Sequence, residues 1–143
     1  DVSELLPELV PLLQPRLAAR AQRRTTSTPT PTRLAFHSPC TLQHAQQLRG
    51  GVESHLGALG FDVQLSHSES HLCCGSAGTY SVLQPALATQ LRDRKLANLA
   101  EVDATVIVSA NIGCIQHLQS GTTTPVRHWV EVLDEALTEA SGA

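Results

Sequence analysis

The sequence contains no methionine, and its 143 residues hold one tryptophan, one tyrosine and two phenylalanines. No apolar run approaches the roughly 18 residues that a membrane span requires, and no signal peptide is visible. Basic residues are not in excess. Ten Lys and Arg against thirteen Asp and Glu give a net charge of −3 and a pI near 6.1, which removes the electrostatic case for nucleic acid. Four cysteines are too few for a disulfide-stapled secreted scaffold, and a hydrophobic content of 41% supplies a core without staples. Gly75 and Gly78 resemble a phosphate loop only superficially, since no Lys-Ser/Thr pair follows them. Ser76, Ser81 and the other hydroxyls lack a base and acid arrangement, so no separate hydrolase site emerges. No internal repeat is present. The length is about that of one domain. The start at Asp1 without methionine reads as a piece of a longer polypeptide, and the composition fits an intracellular location.

What is present is a helical segment followed by strand–helix alternation. Residues 1–24 carry Val2, Leu5, Leu6, Leu9, Leu12, Leu13 and Leu17 at three- and four-residue spacing, with Pro7, Pro11 and Pro15 predicting a break into two short helices. The Thr-, Ser- and Pro-rich stretch from Arg23 to Thr32 reads as a linker, centred on 25–32. Strands are predicted at 33–37, 61–65, 104–108 and 125–128. Between them, 42–59 reads as one helix closed by Gly60, and 77–100 as a long helix, intact or broken near Pro85, with Leu83, Leu87, Leu91, Leu96 and Leu99 on its apolar side. Helices are also predicted at 112–119 and 129–137. The run Ala104 to Val108 is continuously apolar, as in a strand buried on both faces. This alternation predicts an α/β fold: a small doubly wound domain over 33–143 with a four-stranded, mostly parallel sheet flanked by helices.

The cysteines fall at the junctions of that pattern. Cys40 follows the first strand, Cys73 and Cys74 lie in the loop after the second, and Cys114 follows the third. In a parallel sheet these junctions share the carboxyl edge, where ligands bind. Positions near helix N-termini there favour thiolate over thiol. Adjacent cysteines do not easily form an unstrained disulfide with each other, and a catalytic Cys–His pair would leave one of them superfluous. Four soft anionic ligands suit zinc or an iron–sulfur cluster, and a metal-free thiol–disulfide site is a third reading. His117, three residues after Cys114, shares its helix face and is a further candidate metal ligand. His71 and His128 are weaker candidates; His44, His55 and His67 read as solvent-facing. The run Arg92-Asp93-Arg94-Lys95 reads as a solvated helix face, and Trp129 as packing. Gly75 and Gly78 read equally as N–H donors around a negatively charged centre or as an ordinary helix-entry turn.

The pattern Cys40…Cys73-Cys74-Gly75…Cys114 resembles the cysteine-rich CCG domain of the heterodisulfide reductases and their relatives. The strings around it (His37 to His44, Ser70 to Tyr80 and Ser109 to Cys114) are similar to those of the glycolate oxidase iron–sulfur subunits within that superfamily, and the likeness spans about 33–137. The resemblance implies the second of two CCG domains, following a ferredoxin-like region with two 4Fe–4S clusters. It implies an iron–sulfur cluster, of 4Fe–4S type, on Cys40, Cys73, Cys74 and Cys114, with zinc as the alternative occupant in a structural, subunit-assembling role. It also implies flavin-containing partner subunits that oxidise glycolate, electron transfer toward a quinone, and a place in the cytoplasm or at the periphery of the inner membrane. No catalytic residue is assigned, and the domain is not expected to catalyse in isolation. The family pattern ends in Cys-x-x-Cys, whereas this chain has His117 at the last position, which excludes a five-thiolate cluster within it.

Overall fold

A computed structural model of the chain describes residues 1–24, 33–48 and 50–141. The predicted linker at 25–32 lies outside the described residues. A 3₁₀ turn (Val2–Glu4), capped by the Asp1 side chain, leads into α1 (Leu6–Arg24). Then come β1 (Arg33–Phe36), a π-helical turn (Thr41–Ala45), α2 (Gly51–Ala58) and β2 (Asp62–Leu65). They are followed by α3 (Tyr80–Leu83), α4 (Pro85–Ala100), β3 (Val106–Ser109), α5 (Ile112–Gln119), β4 (Val126–His128) and α6 (Trp129–Ser141). The fold is α/β, with an all-parallel four-stranded sheet in the order β2-β1-β3-β4. Its register pairs Leu34 with both Val63 and Val106, and Ile107 with Val126.

Burial alternates across the central strands as their pleat requires. Leu34, Phe36 and Val108 point to one face, into a cluster with Leu6 and Leu17 of α1, Val52 and Leu56 of α2, and Trp129 and Leu133 of α6. Ala35 and Ile107 point to the other, where they meet Leu99, Cys114, Ile115 and Leu118. The sheet is thus covered on both sides. Edge strand β2 stays partly exposed, which agrees with its alternating sequence. Trp129 is a core residue, as its apolar ring predicts.

Two element predictions change, and a third is resolved between its alternatives. The segment 1–24 does not split into two helices at its prolines, because Pro7, Pro11 and Pro15 are four residues apart and all face solvent. The carbonyls they leave without an N–H partner therefore lie on the wet side, while Leu6, Val10, Leu13 and Leu17 bind the inner stripe to the core. The helix predicted over 42–59 is broken: Gln47 and Gly50 take φ of 55° and 74°, and α2 starts only at Gly51. The segment 77–100 breaks at Pro85, which occupies the first turn of α4. Leu83 and Leu87 are exposed rather than apolar-side residues, and the buried stripe of α4 is Ala88, Lys95, Asn98 and Leu99.

The order β2-β1-β3-β4 places the topological switch between β1 and β3. A crevice opens at their carboxyl ends.

Candidate metal centre

A hollow of about 570 Å³ occupies that crevice. All four cysteines line it, together with His37, Ser76, Asn111 and His117. None is in a disulfide. Residues from three separate junctions, more than seventy positions apart at the extremes, thus meet in one pocket, as the sequence pattern predicts.

Each wall is held by a different device. On α5, Asn111 caps the helix: its Oδ1 accepts the Cys114 backbone N–H at 3.2 Å, so Cys114 enters the pocket from the first turn. The pair Cys73-Cys74 does not sit at a helix start, contrary to expectation; α3 begins six residues later, at Tyr80. Its loop is instead tied to α4. The Lys95 ammonium donates to the carbonyls of Glu69 (3.0 Å) and Ser70 (2.9 Å). The Glu69 carboxylate accepts from Arg94 and from Asn98. Gly75 has φ of +91°, and a Cβ there would lie 2.5 Å from the Ala88 carbonyl oxygen. Its N–H donates to Cys73 Sγ at 3.3 Å, so one of the two glycines read as possible donors does serve a cysteine sulfur.

The four thiols are not equivalent. Cys74 and Cys114 are buried, Cys73 is half-buried and Cys40 is exposed. The Ser76 hydroxyl bridges the inner two, 3.3 Å from Cys74 Sγ and 3.7 Å from Cys114 Sγ. A hydrogen bond from the Cys114 thiol, with help from His37 and Ser76, outweighs burial and draws the Cys74 thiol down to about 3. The same interaction, together with burial, pushes Cys114 up. Burial, then the neighbouring Cys73, push the Cys40 thiol up.

Two residues belong to this site that the sequence pattern did not assign to it. Lys95 is 1% exposed, not on a solvated face with Arg92, Asp93 and Arg94. Burial lowers its pKa, against the attraction of Cys74, Glu69, Cys73 and Cys40, and its Nζ sits behind the cysteine loop, bonded to the Glu69 and Ser70 carbonyls. His37 is also 1% exposed, and neither ring nitrogen has a partner at full hydrogen-bond geometry, its one interaction being the weaker pull on the Cys74 thiol. Ligand atoms of His37, Cys74 and Cys114 lie within 4.8 Å of one another. A buried imidazole without partners costs free energy. Its placement beside two buried sulfurs is the chemistry of a soft-metal site.

The other histidines separate clearly. His117 lines the pocket, but its ring Nε2 lies 3.1 Å from the Ala88 carbonyl oxygen and so carries the proton that this bond needs. His71 is exposed and lines a different hollow with Ser38, His44 and Glu53. His128 accepts the Val130 N–H on Nδ1 and packs against Trp129. His44 and His67 are exposed, while His55 is half-buried and bonds the Gly51 carbonyl. No helix among the described residues is long and apolar enough to cross a membrane.

Residues 34–119 match the family described as CCG, cysteine-rich domain. The chain is 49% identical over 141 residues to the glycolate oxidase iron-sulfur subunit of Escherichia coli (strain K12), which covers 96% of this chain and 32% of that protein. It is 30% identical over 113 residues to lactate utilization protein A of Geobacillus thermodenitrificans (strain NG80-2), covering 73% of this chain and 46% of that one. Over 115 residues it is 25% identical to lactate utilization protein A of Exiguobacterium sp. (strain ATCC BAA-1283 / AT1b), covering 77% and 47%. The chain therefore spans between about a third and a half of the length of these relatives.

Proposed function

Because this chain belongs to the cysteine-rich CCG domain family, we propose that its pocket holds an iron–sulfur cluster and that the domain serves electron transfer. The cluster is of 4Fe–4S type, with Cys40, Cys73, Cys74 and Cys114 as thiolate ligands and His117 at the rim of the same pocket. The observation that carries this reading is the convergence of four free thiols from three junctions on one crevice. When bound, such a cluster supplies one-electron chemistry. The chain's own residues do the rest. Lys95 and the capped start of α5 offset negative charge, Ser76 and the Gly75 N–H donate to sulfur, and the flanking core keeps water from the inner thiols.

Similarity to an iron-sulfur subunit of glycolate oxidase supports the proposal that the domain works within a glycolate-oxidising complex. There it passes electrons from flavin-containing subunits toward a quinone, in the cytoplasm or at the periphery of the inner membrane. The helical segment 1–24 leads into a CCG domain at 33–143. Anaerobic purification of the intact protein, followed by iron, acid-labile sulfide and EPR analysis, tests the proposal. Stoichiometric iron and sulfide with a cluster EPR signal are expected, and their absence from the intact complex would end it.

A second reading is favoured by one observation. The close approach of His37, Cys74 and Cys114, within 4.8 Å, also suits a single zinc ion in a structural, subunit-assembling role. Loss of zinc and of complex formation in Cys73→Ser, with retained turnover, would select that reading.

A further inference from the structure

Among the described residues His37 is the only fully buried histidine, and its position is set by the sheet rather than by a loop. Its backbone N–H donates to the Val108 carbonyl at 2.8 Å, and its carbonyl accepts from the buried Ser109 hydroxyl at 2.9 Å. Both bonds come from β3, so the residue is pinned across the switch between β1 and β3, one position beyond the end of β1. Pro39 behind it is buried, which leaves the ring enclosed.

A neutral imidazole carries one N–H and one lone pair, and both seek partners. Here neither nitrogen has one at full hydrogen-bond geometry, while Cys74 and Cys114 stand beside the ring, also buried. No two of these three donor atoms are more than 4.8 Å apart, close to the spacing of about 3.8 Å set by metal–sulfur bonds of about 2.3 Å in a tetrahedral site. One metal atom is therefore within reach of all three. By contrast, His117 already commits its Nε2 to the Ala88 carbonyl.

We propose that His37 is a nitrogen ligand of the centre in this pocket. It completes a buried His37–Cys74–Cys114 face, with one outer thiolate, Cys73 or Cys40, as the fourth ligand, so that His37 takes the place of the other outer cysteine in the four-thiolate set. The proposal rests on the reading that the pocket holds a metal centre, but it holds for a cluster iron or for a single ion. The ring binds through the nitrogen that faces the sulfurs and keeps its proton on the other. Donor sets of mixed imidazole and thiolate raise the potential of iron–sulfur centres relative to all-thiolate ones.

The test is pulsed EPR for nitrogen coupling on the intact, anaerobically prepared protein, with iron and sulfide measured on the same sample. A directly bound ¹⁴N signal is expected in the wild type and in His117→Gln, and its loss in His37→Gln. Because His37→Gln could fail to fold, His37→Cys serves beside it: thiolate replaces imidazole, the centre is retained, and the nitrogen signal disappears. If iron is absent, cobalt(II) titration of the metal-free protein decides the same point. Nitrogen-to-sulfur replacement in His37→Cys then shifts the cobalt spectrum, and His37→Gln weakens binding at least about 10–100-fold, as losing even an outer-shell partner does. Absence of iron would end the cluster reading alone. A nitrogen signal that is missing from the wild type, or that survives in His37→Cys, would overturn the role of His37. So would a cobalt spectrum that His37→Cys leaves unchanged.

Discussion

The inner and outer halves of the cysteine pocket are built differently. The inner half, Cys74, Cys114 and His37, is buried and held by regular structure: a capped helix, a strand pair, and a loop tied to α4 through Lys95 and Gly75. The outer half is Cys40, exposed at the head of a π-helical turn, and the half-buried Cys73. Beyond that turn the chain takes positive φ at Gln47 and Gly50 before α2 begins. Burial and hydrogen bonding set the inner donors in advance, whereas the outer ones face the solvent side, where a partner or an electron would arrive. Rigidity and access are thus assigned to different residues of one site.

Removing single donors breaks the comparison most directly. Cys74→Ser or Cys114→Ser is expected to abolish the centre, measured as metal per chain falling to background, while Cys40→Ser leaves partial occupancy. Equal loss from all three would erase the distinction between inner and outer halves. Gly75→Ala strikes the support of the inner half: its positive φ and the 2.5 Å approach to the Ala88 carbonyl predict a destabilisation of about 3 kcal/mol in urea unfolding. Lys95→Met removes two hydrogen bonds from a buried ammonium to the loop that carries the cysteine pair, and is expected to cost about 2 kcal/mol. A neutral result would mean that the loop holds itself.

The smallest effect is a pH dependence. Hydrogen bonds from Arg94 and then Asn98 lower the Glu69 carboxyl below its ordinary value of 4.5. A carboxyl depressed in the folded state stabilises it above the unfolded pKa, and that contribution fades as pH falls through the folded value. The urea midpoint of the wild type should therefore fall toward that of Glu69→Gln on acidification below about pH 4.5. Parallel curves would show that this tie contributes nothing.

Much of this was readable in the sequence, for local reasons. The apolar run at 104–108 and the cysteines placed after successive strands are patterns that a parallel sheet turns into one edge. The bounds of α5 also agree with the structure, since Asn111 is a cap and Gly121 a stop. The histidine and the lysine were hidden for the opposite reason. Lys95 stands in a run of charges and is buried only because the Glu69–Ser70 loop folds over α4. His37 looks like the end of a short strand until β3 and the two distant cysteines close around it. The continuity of α1 likewise depends on all three prolines facing water, which only the packing of Leu6 and Leu17 decides.

X-ray absorption at the metal edge of the intact, anaerobically isolated protein reads the pocket in a single measurement. A sulfur-dominated shell near 2.3 Å with a minor lighter, nitrogen-like contribution is the predicted result. A shell of light atoms alone, or no bound metal with four thiols free to react, would contradict it.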